Sequence, residues 1–301
     1  MKFSRTLFLR ACGLVVLHAL CFTERAAGQF DKQLAQKLES VYASYRQALT
    51  QQDTTAWLKQ TSRYRQMWLR NQVVSQGLPW PRAVLELALK PPSFGGLKAV
   101  DASEQGDTAR LTYYGKIDFG IPGEAAPENV LVVWFLKEGT DWKYNTIQYA
   151  NLNNDPELKA KIAAGDRAFL QQPEFKLTGT YPTVPKPCET PYHVARLQVL
   201  ATGCKATVTV NGTNEETFDQ AAANRIIIGG LRKGPNKVLI AAQPTAGTDP
   251  TKATLSIEIL IPTGNPAKPE NSVFKWKLEP GKTVLPYEGT VWGASKVSVG
   301  P

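Results

Sequence analysis

From His193 onward the sequence reverses direction every few residues. Short stretches that alternate apolar and polar side chains, such as Ala206–Val210 and Lys237–Ala242, are divided by turn signals: Thr202-Gly203, Asn211-Gly212, Gly234-Pro235-Asn236, Gly264-Asn265 and Pro280-Gly281. Glycine and asparagine accept the left-handed backbone of tight turns, and proline presets a turn angle. Period-two alternation gives each stretch one face for a core and one for water. Strands are expected at Phe175–Gly179, His193–Ala201, Ala206–Val210, Arg225–Ile228, Lys237–Ala242, Ala253–Leu260, Val273–Leu278 and near Val284. Short strands at this spacing imply an all-β sandwich or jelly roll over residues 174–301.

The first half reads differently. Leu34, Leu38, Val41, Tyr42, Tyr45 and Leu49 recur at helical spacing, one face of an amphipathic helix. Asp53 and Ser62 can cap two further helices, the second ended by Gly77. Two hairpins follow, turning at Gln105-Gly106-Asp107 and at Gly139-Thr140. Val130 to Leu136 is apolar on both faces, as a central strand covered twice would be. Helices followed by an antiparallel meander form an α+β pattern over residues 29–152. Asp155 and Pro156 then open a linker helix within residues 153–173.

The N-terminus reads as a targeting segment. Lys2 and Arg5 precede an apolar run from Ala11 to Phe22, and Ala26-Ala27-Gly28 offers a cleavage site near Gly28. Cys21 as a lipidation site ranks second, because Leu20 stands where a small residue is expected. Removal of residues 1–28 leaves 31 basic and 25 acidic residues, a net charge of +6 spread along the chain. With no basic run, nucleic-acid binding is not expected, and no later stretch is apolar enough to cross a membrane. Export to a periplasm or an extracellular space is the expected localisation.

Two cysteines remain after cleavage, Cys188 and Cys204, and an oxidising compartment makes a disulfide between them the expectation. His193 is the single remaining histidine, which excludes histidine-rich metal sites and leaves no serine elbow to partner it. No metal and no cofactor is expected. Asn211-Gly212-Thr213 also matches a glycosylation sequon.

Element order, together with "SVYASYRQALTQQDTTAWLKQ" and "WKYNTIQYANL", resembles the nuclear-transport-factor-2-like (SnoaL-like) superfamily over residues 30–152. The resemblance implies a cone of helices closing a curved antiparallel sheet around a cavity, and a possible homodimer. Trp68, Tyr113, Trp134 and Tyr149 are then candidates to line a ligand pocket, although each can equally fill a core. The fold expected for the whole chain is an α+β cone followed by an all-β sandwich or jelly roll. In the second half, Val208, Val210, Asn211 and Gly212 followed by Leu231, Gly234 and Asn236 resemble galactose-binding-domain-like jelly rolls. That family implies a role in binding carbohydrate or other domains.

The residues themselves speak first of turn chemistry: Asn211 and Asn236 can bond their own turn backbone. For a surface platform, Trp276 alternates with lysines and belongs to a core, whereas Trp292 lies in a glycine-rich tail and is the exposed candidate. The expected function is a non-catalytic binding protein. Its partner would be a carbohydrate or an envelope or extracellular protein, with a small apolar ligand as a further candidate for the cone. The rival is an isomerase or hydrolase, which needs an inward carboxylate of raised pKa. Asp101 and Asp118 read as solvated acids beside turns, so no catalytic residue is assigned. A structural module of an envelope assembly is a third reading.

Overall fold

The computed structural model describes residues 30–86, 91–118, 126–152, 155–212, 214–282 and 286–293. The segment 1–28, with Cys21 and the cleavage site, and the strand expected near Val284 lie outside the described residues.

Helix α1 (Lys32–Thr50) begins where the Asp31 carboxylate accepts from the N–H groups of Gln33 and Leu34, at 3.1 and 3.0 Å. It buries Leu34, Leu38, Tyr42 and Tyr45, the stripe that its spacing dictates. Asp53 caps α2 (Thr54–Gln60) and Ser62 caps α3 (Arg63–Ser75); α4 (Arg82–Leu85) is one turn. Four strands then pair in sequence order as an antiparallel meander: β1 (Lys98–Gln105), β2 (Thr108–Lys116), β3 (Glu128–Glu138) and β4 (Asp141–Asn151).

Both faces of this sheet are covered. Leu131, Val133 and Phe135 of β3 join the core residues of α1 and Trp57 of α2. Val130 and Val132 face the other way, against Leu152, Ile162, Phe169, Leu170 and Phe175. The second cover comes from α5 (Pro156–Ala163), the 3-10 turn Ala168–Gln171 and the chain after it. Each fully buried Val, Leu or Phe contributes about 1.5–3 kcal/mol, so a doubly covered strand is the most stabilised element of this half.

Eight strands make up the rest. They are β5 (Arg196–Thr202), β6 (Cys204–Val210), β7 (Asn214–Asp219), β8 (Ala222–Ile226), β9 (Gly234–Pro244), β10 (Thr254–Asn265), β11 (Lys268–Leu278) and β12 (Tyr287–Gly293). They form two four-stranded antiparallel sheets, β11-β10-β5-β8 and β12-β9-β6-β7. Leu197, Val199, Ile257 and Ile259 of the first share one core with Val208, Val210, Val238 and Ile240 of the second.

The expected α+β cone followed by an all-β sandwich or jelly roll is corrected by this architecture. The described chain is mostly β, built as three separate four-stranded antiparallel sheets, and its helices do not close a cone. The physical reason lies in the helices. Only α1 and α3 exceed eight residues, and α3 buries Asn71, Val73 and Ser75 rather than an apolar stripe. Asn71 and Ser75 spend their polar groups on the chain leading into the second half. Asn71 Nδ2 donates to Lys186 O at 2.8 Å, and Ser75 Oγ accepts from Gly229 N at 2.8 Å.

One expected strand is lost, and two stretches outside the expected strands pair as strands. Phe175–Gly179 buries Phe175 and Leu177 but pairs with no strand. Asn214–Asp219, polar enough to read as a loop, is the edge strand β7, which needs only Phe218 to face inward. The Lys/Pro-rich stretch from Lys268 opens β11, held in a hairpin by Asn265 opposite Lys268.

A strap of chain from Thr178 to His193 ties the halves together. Gly179 O accepts from Asp107 N at 3.0 Å, and a Cβ on Gly106, whose φ is +51°, would collide with that carbonyl. Further on, Tyr181 Oη donates to Glu138 Oε1 at 2.6 Å, and the same oxygen accepts from Arg63 N at the start of α3 at 2.7 Å. A carboxylate there meets the positive end of the helix.

Candidate functional site

The turn after β6 is locked to the start of β9. Asn211, at φ +54°, places its side chain so that Nδ2 donates to Asn236 Oδ1 at 2.9 Å. Asn236 is fully buried, and Oδ1 also accepts from Arg232 N at 2.7 Å. Its Nδ2 reaches the carbonyls of Arg232 and Gly234 at 3.0 Å and of Val291 at 3.3 Å. Asn236 thus bonds its own turn backbone as expected and ties β12 to β9, whereas Asn211 bonds not its own turn but Asn236 and the Lys237 N–H.

That clamp fixes Trp292. Val291 and Gly293 point inward, and a Cβ on Gly293 would strike Arg232 O, so the strand can lie this close only with glycine there. Trp292, between them, faces out and is 69% exposed. It sits opposite Pro235, in register with an outer face that continues through Thr290 and Lys237, then Leu239 and Thr209. Lys237 Nζ and Glu288 form an ion pair across it at 2.8 Å, and Thr207 and Thr217 hydroxyls meet at 3.1 Å. The face carries the hydroxyls of Thr207, Thr209, Thr217 and Thr290 and is edged by one large aromatic ring. Trp276, by contrast, packs partly buried beside Tyr287.

The four residues expected to line a pocket are not brought together. Tyr113 is buried in the core under α1, where it donates to Glu39 and stacks on Phe94. Tyr149 follows it across Leu131 in one cross-strand row but is 59% exposed. Trp134 packs against the core on the opposite face of the sheet. Trp68 lies outside on α3, under the Arg65 guanidinium at 4.5 Å.

Asp101 is not a solvated acid. It is buried, with Oδ2 3.1 Å from Arg110 Nε, and both its oxygens accept from Ser103 Oγ. Arg110 Nη1 also donates to the carbonyls of Leu170 and Phe175. The sequence signal for this network was a lone arginine inside an apolar strand, and it was missed. The arrangement fastens the 168–175 stretch to the sheet. Asp101 is thus committed to Arg110 and Ser103, and Asp118 is exposed.

The expected disulfide is absent: Cys188 and Cys204 are both free. Cys188 lies in the strap against α3, its N–H donating to Asn71 Oδ1 at 2.9 Å. Cys204 is buried past the far end of β5. A seven-residue strand spans roughly 20 Å, far beyond the ~7 Å that a disulfide permits between α-carbons. Burial pushes the Cys204 thiol up, so it stays protonated and inert.

Among the described residues, no group of three or more His, Cys, Asp or Glu side chains is arranged to hold a metal ion, and no helix is long and apolar enough to cross a membrane. No family model, curated protein or solved structure matches the chain.

Proposed function

We propose that this chain is an exported, non-catalytic binding protein whose C-terminal pair of sheets engages carbohydrate on the face that carries Trp292. One observation carries the reading: a large indole held 69% exposed by a fixed backbone at the edge of a hydroxyl-bearing sheet face. The C–H face of a sugar ring packs on such an indole, and threonine, lysine and glutamate beside it can satisfy sugar hydroxyls. The likeness of this half to galactose-binding-domain-like jelly rolls belongs to the same reading. The N-terminal half acts as a scaffold, its sheet covered on both faces and joined to the strap.

The test is retention of the secreted chain on a panel of insoluble and gel-embedded polysaccharides, beside the W292A variant. The reading expects at least one polysaccharide to retain the wild type, with binding weakened about tenfold or more in W292A. Equal behaviour of the two proteins on every polysaccharide sinks it. Capture of a protein partner through the same face would assign the surface to protein recognition instead.

A further inference from the structure

An asparagine followed by a glycine can rearrange in water unaided. The backbone nitrogen of the glycine attacks the side-chain carbonyl carbon, and with no Cβ beside it the attack is unhindered. A C–N bond forms as that nitrogen loses its proton, and the side-chain amide leaves as ammonia. Water then opens the succinimide ring at one of its two carbonyls. The product is aspartate or isoaspartate, whose backbone runs through the former side chain. No oxidant or further reactant is needed. Of the 23 glycines in the sequence, only Gly212 follows an asparagine.

The fold grips Asn211 by the atoms that would react. Its Nδ2, the leaving nitrogen, donates to Asn236 Oδ1 at 2.9 Å, and its Oδ1 accepts from Lys237 N at 3.1 Å. Its backbone N–H donates to Lys237 O at 2.9 Å. Cyclisation expels the donor of the first bond and reorients the acceptor of the second, so the clamp opposes it. Gly212 is exposed at φ +66°, with open space where a Cβ would stand, so water has access to the ring.

The product cannot restore the clamp. A carboxylate only accepts, and its second oxygen would face Asn236 Oδ1, another acceptor, where a donor stood. Asn236 cannot turn its amide in response. Its Oδ1 also accepts from Arg232 N, and its Nδ2 donates to the carbonyls of Arg232, Gly234 and Val291. The bond to Val291 ties β12 to β9 beside Trp292. We propose that Asn211 is a self-modification site held back by the clamp, and that its conversion to aspartate or isoaspartate loosens the end of β12 that presents Trp292. The consequence for binding rests on the carbohydrate reading; the conversion and the loosening do not.

The test incubates the full chain in mildly alkaline buffer, folded and in urea, and follows Asn211 by peptide mass spectrometry. The amide-to-acid mass gain reports conversion, and fragmentation reports the isoaspartyl link. Conversion about tenfold or more slower in the folded chain than in urea is expected. G212A, whose methyl group hinders the attack, should slow it in urea. The converted chain, separated by its added negative charge, and N211D should both exchange amides faster over 287–293 than the wild type, with exchange over 130–136 unchanged. An Asn211 that keeps its amide in urea, or that converts equally fast folded and unfolded, overturns the proposal. Exchange in the converted chain that is unaltered over 287–293, or raised equally over both stretches, does the same. None of these readouts involves a carbohydrate, so they stand or fall apart from retention of the wild type on polysaccharides.

Discussion

Asn211 and Asn236 lie 25 residues apart and bond side chain to side chain at 2.9 Å, joining the turn after β6 to the start of β9. The bond turns two separate hairpin signals into one clamp. It also explains why a fully buried amide is tolerated in an apolar sheet interior: both ends of Asn236 are saturated. N236A should cost about 2–3 kcal/mol, because it strands buried carbonyls and an N–H without adding room for water. N211A should cost about 1 kcal/mol, since Asn211 is half-buried and its lost donor is replaced more easily. Urea unfolding of the two variants checks the order. Equal costs would remove the clamp's special status.

Arg110 and Asp101 supply a second prediction. Their side chains are 6% and 11% exposed, so removing one leaves the other charged and nearly dry. R110M should destabilise by about 3–5 kcal/mol, whereas R110M combined with D101L should lose much less than the sum of the singles. Because Arg110 also holds the carbonyls of Leu170 and Phe175, amide exchange over 168–175 should rise in R110M before the rest of the chain opens.

Local signals were legible where a few neighbouring residues decide the outcome. Asp31, Asp53 and Ser62 cap helices, Gly106 and Gly139 turn hairpins, and the alternation in β6, β9 and β10 faces their apolar residues inward. What failed depends on partners distant in sequence. The apolar stripe of α1 does not say that α3 will spend its buried face on Lys186, Cys188 and Gly229. Nothing local separates the buried Asp101 from the exposed Asp118, because the difference is Arg110 on the neighbouring strand. Trp292 was legible as exposed because glycine flanks it.

The thiols give a third prediction. With Cys188 and Cys204 free, the intact mass of a chain of residues 29–301 should be the same with and without reductant. Alkylation of the folded protein should modify the half-buried Cys188 first, and Cys204 only on unfolding, because burial raises its pKa and blocks access. A mass gain on reduction would contradict the geometry.

Alkaline pH should loosen the strap. The Tyr181 phenol is pushed up to about 12, first by burial, then by its hydrogen bond to Glu138 and that carboxylate's charge. A phenol whose pKa is raised on folding adds stability that is fully present below its unfolded value, near ~10, and is lost as pH rises through the folded value. Between the two the unfolded chain has already released the proton and the folded chain holds it. Unfolding therefore becomes easier with each step of pH. Tyr42, Tyr45, Tyr113 and Tyr144 shift in the same direction, all chiefly by burial. The urea midpoint should fall as pH rises from about 10 towards about 12. Over the same range the phenolate absorbance should show these five tyrosines lagging behind the exposed ones. Y181F removes one titrating group and the Glu138 contact together. It should start lower at neutral pH and fall less steeply, and a Y181F slope equal to the wild type's would mean that the strap's phenol takes no part in the alkaline loss.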